Sequence, residues 1–152
     1  MTHPKDLVLT RMFAVPRSIV WKAWTNPVEL AKWFGPAMFT NPVCEVDLRV
    51  GGKMRIEMQD PQGNRYPMSA TYEEIDPPSK LVFRSGALED ENGKPQLEVR
   101  NTVTFEEIDG QTKITMKADV LADIGPAHMA LEGQKEGWSG SFDKLATLLT
   151  AN

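Results

Sequence analysis

The sequence is poor in the residues that build metal centres and covalent staples. Among 152 residues, Cys44 is the only cysteine and His3 and His128 are the only histidines. A lone cysteine cannot close an intrachain disulfide, and two distant histidines without an acidic ligand loop cannot assemble a zinc or calcium site. Neither a metal nor another cofactor is expected, and a single free thiol fits a reducing compartment. Clustered positive charge is also missing. The net charge is -4 and Lys and Arg are scattered, so no basic patch exists to neutralise phosphates, and nucleic acid is not an expected partner. Long apolar runs are absent too. None approaches the ~18 residues of a membrane span, and Met1-Thr2-His3-Pro4-Lys5-Asp6 lacks the basic-then-apolar layout of a signal peptide. The expected location is the cytoplasm, without a membrane partner.

Familiar catalytic patterns fail on inspection. Gly137-Trp138-Ser139-Gly140-Ser141 has serine where a nucleophile elbow needs glycine, and it falls inside a helix-period segment rather than at a strand-to-helix turn. Gly51-Gly52-Lys53 is too short for a phosphate loop and leads into a strand, as a tight turn would. His128 has a side chain suited to proton transfer near neutrality, but it stands alone near a helix start, where surface or capping roles are commoner. Asp47, Arg49, Arg55 and Glu57 read as cross-strand charges on a wet face.

What the sequence does contain is a clear succession of periods. Leu7, Leu9 and Phe13 alternate with Val8, Thr10 and Met12 in an opening strand that Pro16 ends. A helix follows from Pro16 to Thr25, with Ile19, Val20, Ala23 and Trp24 at helical spacing. Asn26-Pro27 then reads as a cap and first-turn proline. The second helix carries Leu30, Trp33 and Phe34 and stops at Gly35-Pro36. From Val43 to Val120 strands are punctuated by Gly51-Gly52, Asp60–Asn64, Pro77-Pro78 and Asp109-Gly110. This predicts a meander of roughly six further strands. Its surest hairpin joins Val99–Ile108 to Gln111–Ala118, because Asp-Gly favours the type I′ turn that matches strand twist. Leu88–Pro95 reads as an exposed loop. One helix of about six turns is expected from near Pro126 to Leu149, with Leu131, Trp138, Phe142, Leu145 and Leu149 in one stripe. Together these elements make one α+β domain over 1–152, with an ordered core at about 6–150.

Arg11–Pro16, Val20–Pro27, Lys32–Pro36, Cys44–Gly52, Tyr72–Leu81 and Glu136–Trp138, in this order, together resemble the family named after the activator of heat-shock protein 90 ATPase, within the START-like (SRPBCC) superfamily of helix-grip proteins. The resemblance spans nearly the whole chain. It implies a helix-grip fold, a curved antiparallel sheet wrapped around a long C-terminal helix with two short helices after the first strand. Relatives of this fold mostly bind hydrophobic small molecules, some act as cyclases or aromatases, and one branch partners a chaperone. The eukaryotic co-chaperone has a further N-terminal domain, whereas this chain opens its first strand almost at once. Little stimulation of a chaperone ATPase is therefore expected.

The inward strand faces carry the ligand expectation. Met54, Ile56 and Met58 share one face; Met68, Ala70 and Tyr72 share another; Val99, Asn101, Val103 and Phe105 share a third. Methionine adapts to varied shapes, and a polar group on an apolar face must find a partner. An apolar cavity between the terminal helix and the sheet is thus expected, bounded by Met54, Ile56, Met68, Tyr72, Asn101, Val103, Trp138 and Phe142. Tyr72 and Asn101 would orient a small apolar ligand, and Trp138 and Phe142 would form a lid. A core filled by methionine is the alternative reading of the same residues. Gly133, Gly137 and Gly140 flank the helix stripe, and each costs about 0.8–1 kcal/mol relative to alanine. They would make room for a ligand, allow close packing against the sheet or the second subunit of a homodimer, or mark a bend. A cyclase- or aromatase-like enzyme using the same cavity, and a protein-interaction module working through its outer surface, are the rival readings.

Overall fold

The computed structural model describes residues 3–125 and 127–150. Pro126 as a helix start, and the side chain of His128 as a base, lie outside the described residues. Strand β1 (Leu7–Phe13) alternates as expected, with Val8 and Met12 outward and Phe13 buried. Helices α1 (Arg17–Thr25) and α2 (Pro27–Trp33) follow, separated by Asn26. The Asn26 carboxamide oxygen accepts hydrogen bonds from the amides of Val28 at 3.0 Å and Glu29 at 3.2 Å. Two of the four amides that a helix start leaves unpaired are thereby satisfied.

The six strands β2 (Thr40–Val46), β3 (Lys53–Gln59), β4 (Arg65–Asp76), β5 (Lys80–Glu89), β6 (Pro95–Ile108) and β7 (Gln111–Asp123) form an antiparallel meander. Strand β1 joins at the far edge to give the order β1-β7-β6-β5-β4-β3-β2. The α1–α2 pair therefore carries the chain from one edge of the sheet to the other and covers part of its concave face. Asp109 and Gly110 have φ of 53° and 79°, the left-handed pair that a type I′ turn requires. The fold is the helix-grip architecture that the sequence implied. No helix of the described residues is long and apolar enough to cross a membrane.

Three expectations need correction. The terminal helix is two pieces, α3 (Ala127–Glu132) and α4 (Gln134–Thr150), broken at Gly133. Leu88–Pro95 is not all loop, since β5 runs to Glu89, which pairs with Pro95 at the start of β6. The turn shrinks because the Asp90 carboxylate accepts from the amides of Asn92 and Lys94 at 2.9 and 3.0 Å, supplying locally what a longer loop would take from water. Ile19 is 46% exposed, because it lies at the flank of the face on which Val20, Ala23 and Trp24 are buried.

The Asn26 cap makes a direct prediction. Asn26→Ala should lower stability by about 1 kcal/mol, measured as a lower urea midpoint with an unchanged slope, while Asn26→Asp should stay close to the parent.

Candidate functional site

The inward residues of the sheet divide into two zones. Towards one end, Met54, Ile56, Tyr72, Phe83, Val103, Phe105, Ile114 and Met116 are all at most 2% exposed and pack under the helices. Towards the end that bears the Asp60–Asn64 and Asp90–Lys94 turns, the helices no longer fill the space. A pocket of about 270 Å³ opens there. Its sheet wall is Met58, Met68, Ser85, Leu97, Val99 and Asn101; facing it are Phe34–Pro36 and, from α3 and α4, residues such as Leu131, Gly137 and Trp138.

Of the eight residues expected at a cavity, Met68, Asn101 and Trp138 stand at this wall. The remaining five, Met54, Ile56, Tyr72, Val103 and Phe142, belong to the filled core. Phe142 is 1% exposed and packs edge-on against Phe13 and against Trp24, so Trp138 is the aromatic residue that α4 offers to the pocket. The Tyr72 hydroxyl is sealed in the core and meets no partner among the described residues. Burial, and to a lesser degree the Cys44 thiol, raises its pKa well above the usual phenol range. Burial likewise pushes Cys44 up to about 11. Both groups are protonated near neutrality and supply neither a base nor a nucleophile.

Several wall residues carry little sequence signal. Ser85 and Leu97 continue the alternation of Phe83 and Val99 by one step each, which a longer reading of the period would have reached. Phe34–Pro36 could not have been found that way, because side chains distant in sequence hold it. The Lys144 ammonium donates to the carbonyls of Phe34, Pro36 and Phe39 at 3.4, 3.1 and 3.3 Å. Ser141 Oγ lies 2.8 Å from the Gly35 carbonyl, and Asn41 Nδ2 donates to the carbonyls of Ala31 and Phe34. Burial draws the Lys144 pKa down.

The three helix glycines have separate roles. Gly133 is the break between α3 and α4 and borders the pocket. Gly137 faces the pocket, where an added Cβ would meet only Pro36 Cγ at 3.7 Å, an ordinary contact. Gly140 packs against the loop, where a Cβ would stand 3.1 Å from the Ala37 backbone nitrogen. Across α4 from the pocket, a wider groove of about 510 Å³ is lined by charged Lys32, Asp143 and Lys144. Its principal charges are already engaged, Asp143 with Arg11 at 2.7 Å and Lys144 with the loop carbonyls. On the outer sheet face the cross-strand ion pairs Glu45–Arg55 and Glu57–Arg65 lie at 3.3 and 3.0 Å, whereas Asp47 and Arg49, expected on strands, pair with each other at 2.8 Å within the connection between β2 and β3. No group of three His, Cys, Asp or Glu suited to a metal ion occurs among the described residues.

Comparison with known proteins agrees with the fold. The model of the family described as activator of Hsp90 ATPase homolog 1-like protein matches residues 14–150. A crystal structure from Nitrosomonas europaea is 31% identical, covers 97% of this chain and 96% of its own, and superposes with a TM-score of 0.81. One from Mycobacterium smegmatis is 30% identical over 97% of this chain and 91% of its own, also with a TM-score of 0.81. One from Chromobacterium violaceum is 26% identical over 99% and 100%, with a TM-score of 0.83. No protein of curated function matches.

The glycine environments predict effects of opposite sign. Gly137→Ala should raise stability by up to about 1 kcal/mol, the helix-propensity difference. Gly140→Ala should lower it by roughly 1–3 kcal/mol, because the loop it strikes is pinned by Lys144 and Ser141 and cannot retreat. Thermal or urea unfolding of the two variants beside the parent measures both.

Proposed function

The chain belongs to the family of activator of Hsp90 ATPase homolog 1-like proteins, and from that premise we propose that it binds a small, largely apolar molecule in the pocket between the sheet and α4. The observation that carries this reading is the make-up of the wall, which among the described residues includes no Lys, Arg, His, Asp or Glu. Such a wall gains about 25 cal/mol for each Å² of apolar ligand surface it removes from water. Its described residues contribute no ionisable side chain that could pass a proton to or from a bound molecule, which favours binding over a cyclase- or aromatase-like conversion. Met68, Asn101 and Trp138 are the proposed contacts from the sequence reading, joined by Met58, Leu97 and Leu131. The thioethers of Met58 and Met68 adapt to the shape of whatever enters. A small-molecule partner met in the cytoplasm, rather than nucleic acid or a membrane, completes the proposal.

The test is occupancy of the space beside Gly137. The parent should enhance the fluorescence of the neutral probe N-phenyl-1-naphthylamine saturably. Gly137→Leu should abolish that enhancement while melting at or near the parent temperature, because its side chain enters open space. A parent that binds no probe, together with a Gly137→Leu variant that is markedly destabilised, would mean a solid core and would return the function to the outer surface.

A further inference from the structure

Along the pocket the Trp138 indole N–H makes no hydrogen bond among the described residues, whereas most of the other polar side-chain groups are committed to the protein itself. Ser141 Oγ is held by the Gly35 and Gly137 carbonyls at 2.8 and 3.0 Å. Ser85 Oγ donates to the Val99 carbonyl at 3.3 Å and accepts from Asn101 at 3.1 Å. Gln134 Nε2 donates to the Lys5 carbonyl at 3.0 Å, and the rest of that half-buried side chain sits at the rim. Asn101 is different. It is 2% exposed, and its Nδ2 faces three acceptors: Ser85 Oγ and the carbonyls of Phe83 and Val99 at 3.4 and 3.3 Å. Those two carbonyls fix which way the amide points, since a flipped amide would set its oxygen against both of them. Oδ1 is thereby turned away from the sheet backbone and accepts no hydrogen bond among the described residues. It is not among the side-chain atoms sealed off in the interior, and Asn101 borders the pocket.

We infer that Asn101 Oδ1 is the specificity acceptor of the pocket, and that the ligand is a neutral, ring-sized apolar molecule carrying one hydroxyl or N–H donor. This rests on the proposed binding reading and narrows it. A buried acceptor left without a donor loses its hydration for nothing, so the site discriminates against molecules of the same shape that lack the donor. A carboxylate or other anion would bring its charge into a wall whose described residues include no cation, and would set its oxygens against Oδ1. Size gives a further limit: an apolar cavity of about 150 Å³ takes one benzene, so 270 Å³ suits about two fused rings. Phenol- or alcohol-bearing bicyclic compounds are the class that meets all three conditions.

The experiment is displacement of N-phenyl-1-naphthylamine at neutral pH by naphthalene, 2-methoxynaphthalene, 2-naphthol and 2-naphthoate. With the parent protein, 2-naphthol should compete roughly ten-fold more tightly than naphthalene or the methyl ether, consistent with one buried hydrogen bond, and 2-naphthoate should compete least. In Asn101→Leu the preference for the naphthol over naphthalene should fall to about one-fold while naphthalene still binds. If that variant does not fold, the ranking on the parent decides alone. Equal competition by naphthol and naphthalene, tightest binding of naphthoate, or probe binding that no naphthalene displaces would overturn this inference and leave the binding pocket standing. Failure of the parent to bind the probe at all would overturn both.

Discussion

The packing of Trp24 is the constraint on which the other elements depend. From α1 its indole meets Trp33 of α2 at 4.8 Å, Phe83 of β5 at 6.4 Å and Phe105 of β6 at 6.0 Å. It also lies nearly parallel to Trp138 of α4, at 6.0 Å and 14°. One fully buried ring thus touches every layer of the molecule. The indole N–H meets no acceptor among the described residues, which costs about 1–3 kcal/mol. Burying the 150–250 Å² of an aromatic side chain contributes ~4–6 kcal/mol as an upper figure. The apolar term is the larger, and the site is tolerated with its donor unmet. The consequence for the pocket is geometric: Trp138 borders it, and the ring beneath Trp138 cannot move.

Most of the fold was legible because its signals are local. A two-residue alternation identifies Met54 and Ile56, or Asn101 and Val103, as sharing a face whatever the rest of the chain does. Asn26-Pro27 and Asp109-Gly110 declare a helix start and a hairpin turn within two or three residues. The break at Gly133 was only one of three readings of the helix glycines, because a glycine costs the same propensity whether it bends a helix, lines a hollow or lets a loop approach. Only its surroundings distinguish these, and Ala37, which approaches Gly140, lies about a hundred residues away in sequence.

The candidate site was legible in part for a related reason. Alternation tells which side of a strand faces inward but not which positions along it a helix will cover. Tyr72 and Asn101 looked equivalent on that criterion, each a polar group on an apolar face. The structure separates them: Tyr72 lies in the filled zone with its hydroxyl sealed off, whereas Asn101 borders the pocket. Lys144 gave no such signal, since a lysine on a helix ordinarily reads as solvated. Here its three donors hold the carbonyls of Phe34, Pro36 and Phe39 and so shape the opposite wall.

That wall and the Asn101 amide share a property that bears on selectivity. Both are fixed by bonds within the protein, the wall by Lys144, Ser141 and Asn41, the amide by Ser85 and two strand carbonyls. A group held in place beforehand loses little conformational freedom when a ligand arrives, so the full difference between a met and an unmet acceptor goes into discrimination. The methionines act in the opposite sense, because Met58 and Met68 change shape at low cost and accept many outlines. In the proposed binding reading, tolerance for the apolar body of a ligand and strictness about its contact with Asn101 therefore come from different residues, and substitutions at the methionines should alter which shapes enter without altering the demand for a donor.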